Sequence, residues 1–233
     1  MGGMTAPPRA VVRGAQALGL DPAGLRSLGG AASAVLPGPA VLDRAEVDED
    51  LAVRLERRPG RSVVEVLEQH PGLARTIGRA CGSVHQVLAQ LPAPAGLRPA
   101  PGAPVELVTG AVGQVPRLLH LDLHPFNLLV SDDGELTGVL DWANAAAGHP
   151  DLDRARTWSI LTLDPIARSY RSQPVFAALA DAWLEQGQLA RAAPAARAWA
   201  CRFMVRDLGT RYSPAELAHV RAAYEGLQRT AST

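Results

Sequence analysis

Three polar residues in the middle of the sequence have the types and spacing needed for chemistry beside a phosphate. Asp122 and Asn127 lie in the segment His120–Asn127, which reads HLDLHPFN, and Asp141 follows in Leu140–Trp142. A carboxylate such as that of Asp122 can accept the proton of an attacking hydroxyl. The side-chain oxygens of Asn127 and Asp141 are hard ligands that suit Mg²⁺ carrying substrate phosphates.

A β-hairpin is predicted to bring the two candidate metal ligands together. The apolar runs Leu128–Val130 and Leu136–Leu140 flank the turn signal Asp132–Gly134. Asn127 and Asp141 each lie seven residues from the glycine of that turn. An antiparallel pair folded about this glycine sets the two side chains about 5 Å apart. A register shifted by one residue is the alternative.

Simpler interpretations exist for several of these residues. Asp132 and Asp133 are typical turn formers, and a single aspartate in a loop is usually a cap or a turn residue. His120 and His124 are four residues apart, a spacing that zinc ligands on a helix can have. Pro125 breaks any helix there and no cysteine cluster lies nearby, so zinc is disfavoured. The complete set with its hairpin favours the phosphate chemistry.

The ordered set of motifs resembles the aminoglycoside phosphotransferase and choline kinase-like families, which share the protein kinase fold. The motifs are His120-x-Asp122-x4-Asn127, Leu140-Asp141-Trp142 and Gly148-His149-Pro150-x2-Asp153. The resemblance runs from about Leu51 to Trp158 and more loosely to the C-terminus. It implies an α+β, protein kinase-like fold whose C-terminal lobe is mostly helical and carries a catalytic β-hairpin. One position departs from the family pattern, because His149 stands where aspartate is usual, and this affects local bracing more than chemistry.

The resemblance assigns a role to each member of the set. Asp122 corresponds to the catalytic base, and Asn127 and Asp141 to the magnesium ligands, with Trp142 in the place of a phenylalanine. His124 is the second catalytic candidate, near the path of the transferred phosphoryl group. Two further residues correspond to supporting positions. His120 corresponds to the histidine that braces the loop, and Asp153 to a buried structural acid.

The elements before the site also follow from local patterns. Leu51–Glu56 alternates apolar and polar residues and is predicted to be a strand. Ser62 and Glu65 form a capping box for a following helix, and Leu73–Leu91 has the spacing of an amphipathic helix, with His85 as a satisfied core or rim histidine. The strand and helix order resembles the hinge between kinase lobes, although an ordinary strand-to-helix turn fits equally well.

The sequence lacks what a complete kinase-like small lobe requires. The resemblance calls for a phosphate loop, a lysine on the third strand and a glutamate on the next helix. The 233 residues contain no lysine, and the first glutamate is Glu46. Gly29–Ala32 has no preceding strand and does not fit a phosphate loop, whereas Asp21-Pro22 is typical of a helix start. A short strand is predicted near Val41.

We therefore predict a partial N-terminal lobe and hinge strand at 1–58 and a C-terminal catalytic lobe at 59–233. Three explanations of the incomplete lobe remain open. A misplaced start is the leading one, a shortened relic is the second, and a chain that binds nucleotide poorly or differently is the third.

The C-terminal part is predicted to be helical, and the resemblance implies that these helices form the wall of the acceptor pocket. The predicted helices are Ala155–Leu163, Pro174–Glu185 and Pro194–Gly209, and the last one starts at Ser213–Glu216. The region also carries acids that could attract a cation but that fit solvated helix faces better. These acids are Asp181, Glu185 and Asp207. They identify no acceptor.

Composition limits the classes of partner. Apolar residues make up 47% of the chain and the net charge is zero, without a basic block, so nucleic acid is not an expected partner. No signal peptide or membrane span is predicted. Cys81 and Cys201 fit buried thiols in a reducing cytoplasm.

Together these features predict transfer of the γ-phosphate of ATP or GTP, with Mg²⁺, to a hydroxyl of a small molecule. The acceptor and the oligomeric state are not specified by the sequence. The alternative is a catalytically inactive kinase-like binding protein or a truncated relic, because the lysine and the glutamate of the small lobe are missing.

Overall fold

The computed structural model of the protein describes residues 41–47, 50–109 and 115–231. At its N-terminal end, β1 (Val41–Val47) and β2 (Asp50–Leu55) form an antiparallel hairpin. This hairpin confirms the strand expected near Val41 and the strand predicted at Leu51–Glu56. The helix start predicted at Asp21-Pro22 and the segment Gly29–Ala32 lie outside the described residues.

Two further small sheets surround the region of the predicted site. In one, the strand order is β3–β5–β6 and both pairs are antiparallel. In the other, β4 pairs with β7, also antiparallel. The bounds of these strands are β3 (Arg61–Ser62), β4 (Arg117–Leu119), β5 (Leu128–Val130), β6 (Leu136–Val139) and β7 (Ala146–Gly148). The protein is thus a mixed α/β structure in which helices dominate.

The helices follow the apolar spacing of the sequence. They are α1 (Val63–Gln69), α2 (Ala74–Leu88), α3 (Val105–Thr109), α4 (Pro150–Leu163), α5 (Pro165–Tyr170), α6 (Pro174–Gln186), α7 (Pro194–Leu208) and α8 (Ala218–Ala231), with 3₁₀ turns at Pro71–Leu73 and Leu189–Arg191. In the part of the chain that the structure describes, no helix is both long and apolar enough to cross a membrane.

Helix starts show where local signals succeeded and where they did not. The capping box of Ser62 and Glu65 opens α1 as predicted. Ser213 and Glu216 also bond to each other, with Glu216 Oε2 accepting the Ser213 N–H at 2.8 Å, but they cap a turn. Helix α8 begins only at Ala218, so the predicted start was wrong by one turn.

Helix α4 begins earlier than the predicted Ala155. Pro150 is its first residue, and His149 is its N-cap, with Nδ1 accepting the N–H of Asp151 at 3.2 Å. Histidine therefore performs at this position the capping that aspartate performs elsewhere. The departure from the family pattern at residue 149 does not remove the local brace.

Two buried clusters hold the segment between β4 and β5. One lies among α2, α6 and the β5–β6 hairpin and includes Leu123 and Leu128, which are fully buried. The other lies among β4, β7, α4 and α7 and includes Leu121. Burying an aliphatic side chain of this size stabilises the fold by about 1.5–3 kcal/mol. The segment between β4 and β5 is thus packed into both clusters.

Close packing of α2 on α6 completes the support. A Cβ atom on Gly78 would lie 2.4 Å from the carbonyl oxygen of Leu179, and one on Gly82 would lie 2.7 Å from Cβ of Gln186. Only glycine lets the two helices approach so closely at these positions. His85, one turn further along α2, is thereby brought next to α6.

Candidate active site

The β5–β6 hairpin has a register that differs from the prediction by one residue. Leu128 pairs with Val139, and the N–H of Leu140 donates to the carbonyl oxygen of Asn127 at 2.8 Å. Asn127 therefore lies opposite Leu140, and the expectation that it lies opposite Asp141 was wrong. The metal candidates are still adjacent, because Asp141 is the next residue along the chain.

The turn explains the shift. Ser131 donates its N–H to the carbonyl oxygen of Glu135 at 2.9 Å, so the loop is centred on Asp133 and not on Gly134. A register irregularity follows, because Val130 pairs with Leu136 whereas the preceding residue of β5 pairs with Gly138. A bulge of this kind adds one residue to one strand, and nothing in the apolar pattern marks it.

Asp141 lies two residues after β6 and has an unusual backbone conformation. Its φ angle is 57°, in the left-handed region, and its Oδ1 accepts the N–H of Ala143 at 3.3 Å. Aspartate is one of the few residues other than glycine that enter this region at modest cost. The candidate metal ligand therefore stands at a sharp bend immediately after the hairpin.

His120 ties Asp122 to the segment that leads to Asp141. Its Nδ1 accepts the N–H of Asp122 at 3.2 Å, so the ring proton is on Nε2, which donates to the carbonyl oxygen of Leu140 at 2.8 Å. The ring also packs against Trp142, with centroids 4.6 Å apart. Because both ring nitrogens are occupied, His120 has no atom left for zinc. Burial lowers the pKa of His120 despite the opposing charge of Asp153, which keeps the ring neutral.

Asp153 accepts hydrogen bonds from the backbone at the start of the loop. Its Oδ1 accepts the backbone N–H groups of His120 and Leu121, both at 2.8 Å, and its Oδ2 lies 2.9 Å from Nδ1 of His85. Burial by itself raises the pKa of this carboxyl, but the hydrogen bond from His85 and the bond from the Leu121 N–H oppose burial, and the pKa is lowered overall. Asp153 is therefore an ionised, completely bonded acid, only 2% exposed.

His85 extends this network to α6. The indole N–H of Trp183 donates to Nε2 of His85 at 3.3 Å, which leaves the ring proton on Nδ1 for Asp153. The prediction of a satisfied core histidine is confirmed. Its contact with Asp153 was not predicted, because 68 residues separate the two and no local pattern joins them.

Asn127 and Asp122 are bonded to each other through the loop. The side-chain Nδ2 of Asn127 donates to the backbone carbonyl of Asp122 at 2.9 Å. This bond orients the amide and leaves its Oδ1 as the oxygen that can meet a cation. The carboxylate of Asp122 receives Nδ2 of Asn144 at 3.5 Å, a neighbour that the sequence did not reveal.

His124 lies beside the Asp122 carboxylate without bonding to it. Its Nε2 is 3.9 Å from Oδ2 of Asp122, beyond hydrogen-bond range. Its Nδ1 accepts the N–H of Phe126 at 3.3 Å, so the proton is on Nε2. Burial lowers the pKa of His124 against the pull of Asp122, which favours the neutral ring.

A buried arginine next to the site was missed by sequence reasoning. Arg156 is 4% exposed, pairs with Asp207 at 3.2 Å and lies over the ring of Phe203 at 4.7 Å. Burial lowers the pKa of the Arg156 guanidinium, and the charge of Asp122 is the largest opposing effect. Asp207 and Asp181 each form an ion pair, the latter with Arg171, but their side chains are 44% and 53% exposed, which agrees with the solvated helix faces that the sequence favoured.

Among the described residues, no group of three or more His, Cys, Asp or Glu side chains is arranged to hold a metal ion. The candidate set instead combines one amide, that of Asn127, with the carboxylate of Asp141. The hydrogen bonds of His120 and Asn127 bring Asp122, Asn127 and Asp141 into one loop and hairpin unit.

This architecture defines a protein kinase-like fold, and comparison with solved structures agrees. A thermostable mutant of aminoglycoside phosphotransferase APH(4)-Ia in its apo form superposes with a TM-score of 0.53 at 17% identity, covering 86% of this chain and 80% of that one. Another mutant form of that enzyme, in a ternary complex with AMP-PNP and hygromycin B, gives a TM-score of 0.52 at 17% identity and covers 85% and 78%. At such identities the likeness concerns the fold alone.

A sequence comparison adds a likeness to one family. The model of the phosphotransferase enzyme family matches residues 104–200, which contain the segment His120–Asn127 and the β5–β6 hairpin. No curated protein matches the sequence. The chain resembles the aminoglycoside phosphotransferase family, as its motifs predicted, and the match supports a phosphotransferase.

Proposed function

We propose that the protein transfers the γ-phosphate of ATP or GTP to a hydroxyl group of a small molecule. The observation that carries this proposal is the hydrogen-bonded unit of Asp122, Asn127 and Asp141, which His120 closes by bonding to both the loop and Leu140. The AMP-PNP and hygromycin B in the similar structure support a nucleotide donor and a small-molecule acceptor.

The residues present fit a magnesium ion. The Asn127 amide is oriented with its nitrogen toward the backbone of Asp122, so an oxygen is available, and the Asp141 carboxylate follows at the bend. Two oxygen ligands of this kind are typical of Mg²⁺ that is bound mainly through substrate phosphates. When bound, the ion would neutralise charge on the phosphates.

Asp122 is the proposed proton acceptor. Its backbone N–H and carbonyl are both bonded within the loop, so its carboxylate is held at a fixed place. The carboxylate would orient the acceptor hydroxyl and take its proton as the phosphoryl group is transferred. His124, with its Nε2–H facing Asp122 at 3.9 Å, would donate a hydrogen bond beside the reacting groups.

The two lobes would contribute different parts of the proposed active site. Residues 1–58 would contribute the hinge side of the nucleotide site, and residues 59–233 the catalytic loop and the acceptor wall. The two free cysteines, Cys81 and Cys201, are both buried, which supports a cytoplasmic location.

A second candidate function is a catalytically inactive kinase-like binding protein. The specific observation in its favour is the absence of lysine from all 233 residues, because kinase-like enzymes use a lysine to position the α- and β-phosphates. Arginine, a planar fork, is not an equivalent point charge.

Calorimetric titration of Mg²⁺-ATP and Mg²⁺-GTP into residues 1–233 separates the two candidates. The matched variant is Asp141→Asn, since asparagine also tolerates the left-handed backbone found at this residue. Magnesium-dependent binding that Asp141→Asn abolishes supports the proposed enzyme. A folded protein that binds neither nucleotide would contradict it.

A further inference from the structure

The turn between β6 and β7 carries a side chain that contacts the proposed proton acceptor. Asn144 lies in this turn, and its Nδ2 is 3.5 Å from Oδ2 of Asp122. An ionised carboxylate offers only acceptors, so the amide nitrogen of Asn144, and not its oxygen, faces it. Hydrogen bonds of catalytic groups are often this long before a substrate binds and shorten in the complex. The amide of Asn144 is therefore a donor to the Asp122 carboxylate.

The backbone of this turn is held without any contribution from the Asn144 side chain. The guanidinium of Arg98 donates to the carbonyl oxygen of Ala143 at 3.1 Å. The N–H of Ala145 donates to the carbonyl oxygen of Trp142 at 2.8 Å. The peptide groups on both sides of Asn144 are thus bonded. A substitution at residue 144 leaves these bonds in place, so it tests the side chain alone.

The two oxygens of the Asp122 carboxylate have different surroundings. Oδ2 faces the amide of Asn144, and Nε2 of His124 lies 3.9 Å from the same oxygen. Among the residues that the structure describes, no hydrogen bond reaches Oδ1. The Asp122 side chain is 23% exposed, so a ligand can reach it. Oδ1 is therefore the oxygen that is left for an acceptor hydroxyl.

We propose that Asn144 is a positioning residue for phosphoryl transfer, which holds Oδ2 of Asp122 so that Oδ1 faces the acceptor hydroxyl. In the transfer, the O–H bond of the acceptor breaks and its proton passes to Oδ1. The acceptor oxygen bonds to the γ-phosphorus, the bond from that phosphorus to the bridging oxygen breaks, and the nucleoside diphosphate leaves. A base that is oriented beforehand raises the rate of such a step. This inference rests on the proposed phosphotransferase function.

The contact itself can be tested without any activity. In heteronuclear NMR spectra, the side-chain NH₂ signals of Asn144 are identified by their loss in Asn144→Ala. We expect Asp122→Asn to shift these signals, because a neutral amide then replaces the charged acceptor. Gln90→Ala, which removes an exposed amide just after α2, should leave them in place. Signals that do not move in Asp122→Asn would overturn the proposal.

The second measurement is phosphoryl transfer from radiolabelled Mg²⁺-ATP with water as the acceptor. We expect Asn144→Ala to lower kcat by about threefold to tenfold, while the Kd for Mg²⁺-ATP in calorimetry stays within about twofold of the parent value. Asn144→Asp should lower kcat further, because it keeps the size of the side chain but places a like charge beside Oδ2. Gln90→Ala should match the parent protein in both quantities.

A double-variant cycle shows whether Asn144 acts through Asp122. In protein that already carries Asp122→Asn, the further change Asn144→Ala should leave kcat unchanged, because the carboxylate that the amide holds is gone. Losses that multiply in the double variant, an unchanged kcat in Asn144→Ala, or a weakened Kd would each overturn the positioning role. A parent protein that does not bind Mg²⁺-ATP, or binds it and releases no phosphate, would defeat the proposed function, and the positioning role would fall with it. The NMR signals keep these two failures apart, since they report the contact alone.

Discussion

Asp153 accepts the backbone N–H of His120 at 2.8 Å, so a carboxylate on α4 fixes the first residue of the loop His120–Asn127. The same oxygen accepts the N–H of Leu121, whose φ angle of 64° is in the left-handed region. The ionised carboxylate of Asp153 accepts both N–H groups and so stabilises the bend of the backbone at Leu121. The loop His120–Asn127 therefore depends on a residue that is 33 positions away in the chain.

Replacing this acid by its amide should destabilise the protein. In Asp153→Asn, the new NH₂ group must face either the Nδ1–H of His85 or the backbone N–H groups of the loop, so donor meets donor. A buried unsatisfied donor costs about 1–3 kcal/mol. Urea unfolding should show this loss in the free energy of unfolding, and Asp133→Asn, in the exposed turn, should change it little. Equal stability of both variants would contradict the network described for Asp153.

The bend at Asp141 predicts that a glycine variant keeps the stability of the protein but loses nucleotide binding. Because φ is 57°, Asp141→Gly should unfold at the same or higher urea concentration, whereas Asp141→Ala should lose about 1 kcal/mol. Both variants should lose Mg²⁺-dependent nucleotide binding in calorimetry. A glycine variant that still binds nucleotide would show that the carboxylate is not a metal ligand.

Asp122 should govern transfer more than binding. Asp122→Asn keeps the shape of the side chain but removes the proton acceptor, and loss of a general base lowers rates by about 10²–10⁴-fold. Phosphoryl transfer to an acceptor should fall by that range, while calorimetry still detects Mg²⁺-nucleotide. Full transfer activity in Asp122→Asn would rule out this residue as the base.

Stability should decline as pH falls below neutrality because of two histidines. The pKa values of His120 and His124 are lowered from their ordinary value near 6.5, mainly by burial. Below about pH 6.5 the unfolded chain binds protons that the folded protein does not bind, so the free energy of unfolding decreases until the lowered pKa is reached. Urea midpoints measured between pH 7 and pH 5 should fall, and His124→Gln should reduce the slope. An unchanged slope would mean that this ring is not neutral in the fold.

The N-cap of α4 offers a stabilising substitution. His149 caps the helix through Nδ1 at 3.2 Å, and an aspartate there would add a negative charge at the helix N-terminus. His149→Asp should raise the free energy of unfolding by about 0.5–1 kcal/mol at neutral pH and low salt, and His149→Ala should lower it by a similar amount. Thermal unfolding of the three proteins measures both effects, and the cap has no energetic role if all three coincide.

Local signals in the sequence predicted the parts of the fold that depend on neighbours in the chain. The capping box at Ser62, the helix α2 and the two strands of the hairpin all follow from spacing alone. The exact pairing of Asn127 with Leu140 did not, because a bulge and the true centre of the turn leave no mark in an apolar pattern. A symmetrical fold about Gly134 was the simplest assumption and was off by one residue.

The long-range contacts of the site were harder to predict. His85, Asn144 and Arg156 each belong to elements whose own patterns are fully explained by helix or turn formation. The packing of α2 on α6 brings His85 near the loop, and Arg156 lies on α4, which packs on α7. Asn144 lies in the turn between β6 and β7. The roles of Asp122, Asn127 and Asp141 remain predictions that nucleotide binding and transfer assays will test.

The hydrogen bond between Trp183 and His85 makes the fluorescence of Trp183 sensitive to the state of the loop. Indole emission responds to what the ring N–H is bonded to, and here that partner leads through Asp153 directly to the catalytic loop. A rearrangement of the loop would therefore change the fluorescence of a tryptophan that is fully buried. The remaining tryptophans, at 142, 158 and 199, can each be replaced by phenylalanine to isolate that signal.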